Sequence, residues 1–189
     1  MRYSLVLLLA AVGLLQGCVA PVVAAGVGAG MMISSSDRRS AGAMIEDDTI
    51  ESKAQKRIEE KYKDTARASV TAYNRFALVT GTAPNEATKM DIERIIGAIP
   101  NVKGIANELV VGSPASGGSS SSDTRITGNV KMRFVKSPAF KADHVKVVTE
   151  NGVVYLMGLV THAEADASSD IASTTANVQK VVRVFEYID

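Results

Sequence analysis

Val147–Val160, which reads VVTENGVVYLMGLV, contains the clearest structural signal in the sequence. Two runs rich in β-branched residues flank Asn151-Gly152. Asn-Gly is the strongest short hairpin signal, because both turn positions tolerate a positive φ. The stretch therefore predicts a β-hairpin with strands at 145–149 and 153–157.

An earlier segment repeats this hairpin. Ala68–Tyr73 and Phe76–Thr80 have strand composition, and Asn74-Arg75 between them is a weaker version of the same turn. A glycine follows the second strand in both copies, at Gly81 and Gly158. The sequence therefore predicts two copies of one unit.

An apolar residue recurs every four positions ahead of each hairpin, which predicts an amphipathic helix. These residues are Ile50, Ala54 and Ile58 in the first copy and Ile126, Val130 and Phe134 in the second. Asp48 with Glu51 resembles a capping box, and Asp123 is placed to cap the second helix.

Each unit closes with a second helix and a third strand. The second helices are expected to begin near 85–86 and near Glu164, and the third strands to cover Val102–Leu109 and Val178–Phe185. The order helix, strand, strand, helix, strand occurs twice. We expect an α/β fold of the α+β type, with a small three-stranded mixed sheet in each unit.

A Gly/Ser-rich stretch at 112–122 has the composition of a flexible linker. It divides the chain into domains at 44–111 and 123–189. Each is close to the smallest size that folds without disulfides or metals. Mutual support between the two would therefore help each to fold.

The N-terminus has the features of a secretory signal. Arg2 precedes an apolar run at Leu5–Leu15, which is too short to span a bilayer as a helix. Leu15–Cys18 resembles the lipobox of bacterial lipoproteins, in which the cysteine is lipidated and becomes the new N-terminus. We predict a signal peptide at 1–17, lipid on Cys18 and a tether at 18–43; the alternative is an ordinary free thiol.

The residue after Cys18 predicts in which membrane the protein is anchored, because the chain resembles bacterial lipoproteins that are sorted by this residue. Val19 follows Cys18 where an Asp would, in many Gram-negative bacteria, signal retention in the inner membrane. The expected location is the outer membrane, with the domains facing the periplasm. Several acyl chains would make this anchor stable.

Composition argues against several classes of function. Without residues 1–17, which contain one basic residue, the chain has 20 basic and 20 acidic residues, whereas nucleic-acid binding depends on excess positive charge. His144 and His162 are the only histidines and lack ligand spacing for a metal. We expect no enzymatic activity, no nucleic-acid partner and no cofactor apart from the lipid on Cys18.

The repeated unit resembles the BON domain, and the whole chain is similar to the dual-BON outer-membrane lipoproteins. The resemblance rests on Gly81 and Gly158, on Asp37–Ser40 after the tether, on Val147–Val160 and on the final Phe185–Ile188. It implies a non-enzymatic envelope protein that binds phospholipid and maintains outer-membrane integrity. It also implies that the lipid surface lies on the first helix of the second domain, at 123–135.

The residues of that region fit a membrane surface. Between positions 125 and 146 there are six basic residues and one acid, Asp143, and anionic lipid attracts such clusters. Phe140 is expected to be an exposed aromatic anchor in the following loop. Relatives often carry an aromatic residue at the position of Arg125. The predicted phospholipid-binding residues are Arg125, Lys131, Arg133, Lys136, Phe140 and Lys141.

Three alternatives stay open at this point. The basic helix could be an ordinary solvated face, and the domains could instead dock an outer-membrane assembly or a cell-wall protein, for example through a sheet edge. A secreted membrane-damaging protein of haemolysin type is the third. High ionic strength should weaken lipid binding through cations but not strand addition.

Overall fold

The computed structural model describes residues 37–112 and 120–189 and shows two copies of one α/β unit. The first contains helix α1 (Ala41–Tyr62), strands β1 (Arg67–Tyr73) and β2 (Phe76–Ala83), helix α2 (Glu86–Gly97) and strands β3 (Gly104–Asn107) and β4 (Val110–Val111). The second contains helix α3 (Ser120–Lys136), strands β5 (Val145–Glu150) and β6 (Val153–Val160), helix α4 (His162–Ser173) and strand β7 (Lys180–Tyr187). The predicted signal peptide and Cys18 lie outside the described residues.

Each unit has a mixed sheet, which has the expected three strands in the second unit and an additional fourth strand in the first. Strand β2 pairs antiparallel with β1 and parallel with β3 and the two-residue β4, while β6 pairs antiparallel with β5 and parallel with β7. The central strand of each sheet is therefore the second strand of the predicted hairpin. The predicted order and fold class are confirmed.

A buried aspartate fastens each hairpin turn to the helix that precedes it. Both turns have two residues with positive φ, at Asn74-Arg75 and Asn151-Gly152. Asp47 accepts the two backbone N–H groups of the first turn at 2.8 and 2.6 Å. Asp123 accepts the corresponding pair in the second turn, both at 2.9 Å. The two copies therefore share one helix-to-turn connection.

The predicted caps of the first helices are wrong. Helix α1 begins well before Asp48, and its N-cap is Ser40, whose hydroxyl accepts the Ala43 N–H at 3.1 Å. Glu51 lies inside the helix and accepts the Ala72 N–H at 2.7 Å. Asp123 lies in the first turn of α3 rather than at its cap. Both helices begin inside segments that their composition predicted to be tether or linker, because small polar residues also favour helix starts.

Three hydrophobic cores hold residues 37–112 and 120–189 together. The predicted stripes of α1 and α3 are buried, each against the face of its own sheet. The opposite faces of the two sheets meet in a third core, which contains Tyr73 and Leu78 from the first unit and Tyr155, Met157 and Leu159 from the second. The two units therefore complete one another's burial.

The segment Asp37–Ser40 lies against both units. Arg39 donates to Asp37 at 2.9 Å and to Asp47 at 3.0 Å, and its guanidinium lies 4.1 Å from the centre of the Tyr73 ring. The preceding Arg38 reaches the second unit, where it donates to the Leu159 carbonyl at 2.8 Å. This segment therefore links the first helix to the second domain.

The two glycines that were expected to follow the second strands lie inside them, and close packing between strands requires both. A Cβ at Gly81, where φ is +117°, would lie 2.0 Å from the Arg67 carbonyl oxygen. A Cβ at Gly158 would lie 2.3 Å from the carbonyl oxygen of His144. Both distances are too short for any larger residue without backbone movement.

Within residues 37–112 and 120–189, no helix combines the length and the apolar character needed to cross a membrane.

Candidate functional site

Helix α3 carries most of the predicted site. Ile126, Val130 and Phe134 are at most 3 % exposed and seat the helix on its sheet. Because residues advance by about 100° each along a helix, positions 128, 132 and 135 fall on the opposite side. The outer face of α3 therefore makes no contact with the hydrophobic core of the second domain.

Four of the predicted cationic residues are exposed: Arg125, Lys131, Lys136 and Lys141. None of these side chains makes an ion pair or hydrogen bond with another residue in the described part of the chain. Their charges are therefore available to an external anion.

Arg133 has a different role. Its guanidinium donates to the Ile171 carbonyl and the Thr175 hydroxyl, both at 2.6 Å, and to the Thr174 hydroxyl at 2.9 Å. These groups lie at the C-terminal end of α4, where a cation also interacts favourably with the helix dipole. The geometry therefore makes Arg133 a structural link between α3 and α4.

The expectation that Phe140 is an exposed anchor is wrong. Its side chain is only 7 % exposed and packs edge-on against Phe134, with ring centroids 5.1 Å apart at 77°. The loop after α3 folds this ring back into the second core, because removing the apolar surface of a phenyl group from water lowers the free energy of the folded state.

Helix α3 exposes two apolar residues, whereas the predicted aromatic anchor Phe140 is buried. Met132 is 55 % exposed and Val135 is 74 % exposed, next to the cations Lys131 and Lys136 on the outer face of α3. Neither residue is among the lipid contacts predicted from the sequence. The i, i+3 spacing of 132 and 135, out of phase with the buried stripe, is the signal that could have identified them.

Lys146 does not extend the basic surface. Its ammonium donates to Glu51 Oε1 at 3.0 Å and to the Ala72 carbonyl at 3.2 Å, both in the first unit. The basic run therefore contributes one of its cations to the contact between the two domains.

A charged cluster connects Arg38 with the start of α4. Arg38 donates two hydrogen bonds to the Glu164 carboxylate, at 2.6 and 3.0 Å, and His144 Nδ1 lies 3.1 Å from the same group. Burial works against the charged carboxylate, but these contacts and the Thr161 backbone N–H outweigh it and lower the pKa of Glu164 to about 2. The cluster joins segments more than 120 residues apart, so its role is structural.

No metal centre is visible in the described ranges, where no three His, Cys, Asp or Glu side chains gather closely enough to hold an ion.

Comparison with known proteins matches the BON domain family model twice, at residues 46–113 and 122–189. The outer membrane lipoprotein DolP of Haemophilus influenzae is 36% identical over 188 residues, which cover 98% of this chain and 96% of that protein. A 21 kDa hemolysin of Actinobacillus pleuropneumoniae is 33% identical over 154 residues, 80% of this chain and 79% of that protein. An uncharacterized protein of Anaplasma centrale is 27% identical over 112 residues, 59% of this chain and 73% of that protein.

Proposed function

The chain belongs to the BON domain family, and we propose that it is a lipid-anchored outer-membrane protein whose second domain binds anionic phospholipid. Cys18 would carry the lipid, and the domains would face the periplasm, where the protein supports the integrity of the envelope without enzymatic chemistry. The name of its Haemophilus influenzae relative, an outer membrane lipoprotein, supports this location, as does Val19 after the cysteine.

The outer face of α3 is the observation that carries this proposal. Met132 and Val135 are exposed between Lys131 and Lys136, an arrangement typical of helices that lie in a membrane interface. Each lysine near an anionic surface adds about 1 kcal/mol. Full burial of an aliphatic side chain adds about 1.5–3 kcal/mol. Together with the covalent anchor, these terms suffice for a stable membrane contact.

The first domain offers an internal comparison. In α1, Lys56 and Glu59 occupy the positions of Met132 and Val135, and both are exposed. The same fold therefore presents an apolar and basic surface in one copy and a charged surface with acids in the other. This difference favours lipid contact through the second domain alone.

Arg125 and Lys141 lie outside this face. Arg125 is ten residues from Val135, which is about 15 Å along the helix. Both cations are exposed and can add long-range attraction, but we assign the contact itself to Lys131, Met132, Val135 and Lys136. Arg133 and Phe140 are excluded from it by their internal contacts.

Cosedimentation with liposomes of varied anionic content tests the proposal. In the unlipidated protein, residues 19–189, the double change Lys131→Glu and Lys136→Glu should weaken binding to anionic liposomes at least about tenfold, and Met132→Ser with Val135→Ser should weaken it comparably. High salt should also weaken binding of the unmodified protein.

The matched control is Lys53→Glu with Lys56→Glu, which reverses two exposed cations of α1. We expect little change in binding. Equal losses from both charge reversals would indicate diffuse attraction, and no loss from either would refute a lipid surface on α3. Circular dichroism melting of each variant checks that the fold is retained.

Protein interaction is the second candidate function. Val110 and Val111 are 59 % and 41 % exposed on β4, a two-residue strand that could accept an added strand from an outer-membrane assembly or cell-wall protein. Salt-insensitive capture of a partner, abolished by Val110→Pro, would favour this function. The relationship to a 21 kDa hemolysin keeps membrane damage as a third candidate, which a red-cell lysis assay tests directly.

A further inference from the structure

A polar cleft of about 540 Å³ lies at the N-terminal end of α3. Ser122, Arg125 and Asn129 line it from the helix, Asn151-Gly152 from the hairpin turn, and Asn177 and Gln179 from the loop before β7. Ile126 is the one aliphatic residue in its lining. The cleft is therefore chemically unlike the apolar and basic face formed by residues 131–136.

Some polar groups of this cleft serve the fold, since the side-chain amide of Asn151 donates to Glu150 Oε1 at 3.2 Å, but four polar side chains do not. The side chains of Arg125, Asn129, Asn177 and Gln179 make no hydrogen bond or ion pair with another described residue. Gln179 contributes only its backbone N–H, which donates to the Gly152 carbonyl at 2.9 Å. One guanidinium and three amides thus converge on a space without partners in the described parts of the chain.

The first domain has the same backbone arrangement, but its own side chains occupy the corresponding space. There Arg75, the second residue of the turn, forms an ion pair with Glu46, and Asn101 donates to the other oxygen of that carboxylate at 3.2 Å. Arg75 also occupies the turn position of Gly152, and its carbonyl accepts the Lys103 N–H at 2.9 Å. The first copy is therefore internally satisfied at this position.

The second copy lacks both members of that ion pair. Ser122 stands in the place of Glu46, and Gly152 stands in the place of Arg75. The asparagine is kept in the same left-handed conformation, with φ of 71° at Asn101 and 68° at Asn177. The loop geometry is thus retained without the ion pair that Arg75 and Glu46 form in the first copy, which is the pattern expected of a ligand site rather than of a packing requirement.

The lining defines the class of ligand. A side-chain amide donates through nitrogen and accepts through oxygen, so several of them match the alternating donors and acceptors of sugar hydroxyls. The planar guanidinium of Arg125 fits a carboxylate with two hydrogen bonds. We propose that this cleft binds an acidic glycan, a sugar that carries a carboxylate, independently of the lipid contact on the outer face of α3.

The test uses a soluble probe and the protein of residues 19–189. The disaccharide of N-acetylglucosamine and N-acetylmuramic acid supplies hydroxyls and one carboxylate, and neutral chitobiose lacks the carboxylate. In NMR titrations the side-chain amide signals of Asn129, Asn177 and Gln179 should shift with the acidic disaccharide. Chitobiose should bind about tenfold more weakly, because it cannot pair with Arg125.

Variants locate the site. Arg125→Gln should reduce affinity for the acidic disaccharide about tenfold and remove its preference over chitobiose. Ser122→Glu with Gly152→Arg rebuilds the ion pair of the first domain and should abolish binding. Lys53→Ala, at the position in α1 that corresponds to Asn129, is the matched control and should bind normally.

Several outcomes would overturn the proposal. They are an absence of shifts in the cleft amides, unchanged binding by folded Arg125→Gln, and equal affinity for glycerol 1-phosphate, which would indicate a simple anion site. If the double variant fails to fold, Arg125→Gln and Asn129→Ala decide the question. Met132→Ser with Val135→Ser should lower liposome binding and leave disaccharide binding unchanged, which separates failure of this proposal from failure of the lipid surface.

Discussion

Replacing Glu164 by Gln should destabilise the fold in a pH-dependent way. The Glu164 carboxylate accepts hydrogen bonds from Arg38 at 2.6 and 3.0 Å and from the Thr161 backbone N–H at 2.9 Å, and it lies beside His144. Glutamine keeps the size of the side chain and removes its charge. The substitution therefore isolates the electrostatic part of the connection between Asp37–Ser40 and the second domain.

The magnitude follows from the lowered pKa. A fall from 4.5 to about 2 in the folded state corresponds to about 3 kcal/mol of stability. Solvent reaches part of Arg38, whose side chain is 28% exposed, and screening reduces this contribution. We expect Glu164→Gln to lower the free energy of unfolding by about 2 kcal/mol at pH 7.

The pH dependence has a definite sign. Because the pKa of Glu164 is lower in the folded state than in the unfolded state, its charge stabilises the protein above about pH 4.5, and this contribution is lost as the pH falls toward 2. Urea unfolding of the original protein and the variant at pH 7 and pH 2.5 measures the difference. An equal difference at both pH values would refute the electrostatic explanation.

A double-mutant cycle with Arg38→Ala provides the control. If the ion pair accounts for the effect, the two substitutions should be less than additive by about 1–2 kcal/mol at pH 7. Full additivity would mean that the two residues act separately.

Two further predictions concern stability and are measured by the same unfolding assay. Arg133→Ala should lower the free energy of unfolding by about 2–3 kcal/mol, because it leaves the end of α4 without its hydrogen-bond donors. The control Lys131→Ala, on the outer face of α3, should lower it by less than about 0.5 kcal/mol. Similar losses from both would contradict the structural role of Arg133. Gly158→Ala should cost more than about 2 kcal/mol because its Cβ would meet a backbone oxygen. Gly128→Ala should instead stabilise the exposed helix by about 0.5–1 kcal/mol, since nothing lies within 4 Å of the new Cβ; the reverse order would refute the packing argument.

Local patterns predicted the fold because local chemistry determines it. The Asn151-Gly152 turn and the four-residue stripes of α1 and α3 depend on backbone preference and on one apolar face, both of which can be read from neighbouring residues. The start of α1 was missed because Ser40 follows a stretch whose small polar residues resemble a tether. A single capping hydroxyl does not stand out in such a composition.

The candidate site was harder to predict because it depends on contacts between distant segments. The sequence shows that Arg133 is basic and Phe140 aromatic, but not that one side chain reaches the end of α4 and the other turns back onto Phe134. The exposure of Met132 and Val135 likewise follows from which side of α3 meets the sheet. Charge and residue type therefore located the region, and only the tertiary contacts distinguish the residues available to lipid from those used for folding.

The position of Asp37–Ser40 has a mechanical consequence. If Cys18 is held in a membrane, a pull that is transmitted along the backbone reaches the described residues at this segment. Arg39 passes the load to the first helix through Asp47, and Arg38 passes it across to the second domain through Glu164. Tension is thereby divided between both domains at the point of entry, so that α1 is not peeled from its sheet while these two contacts hold.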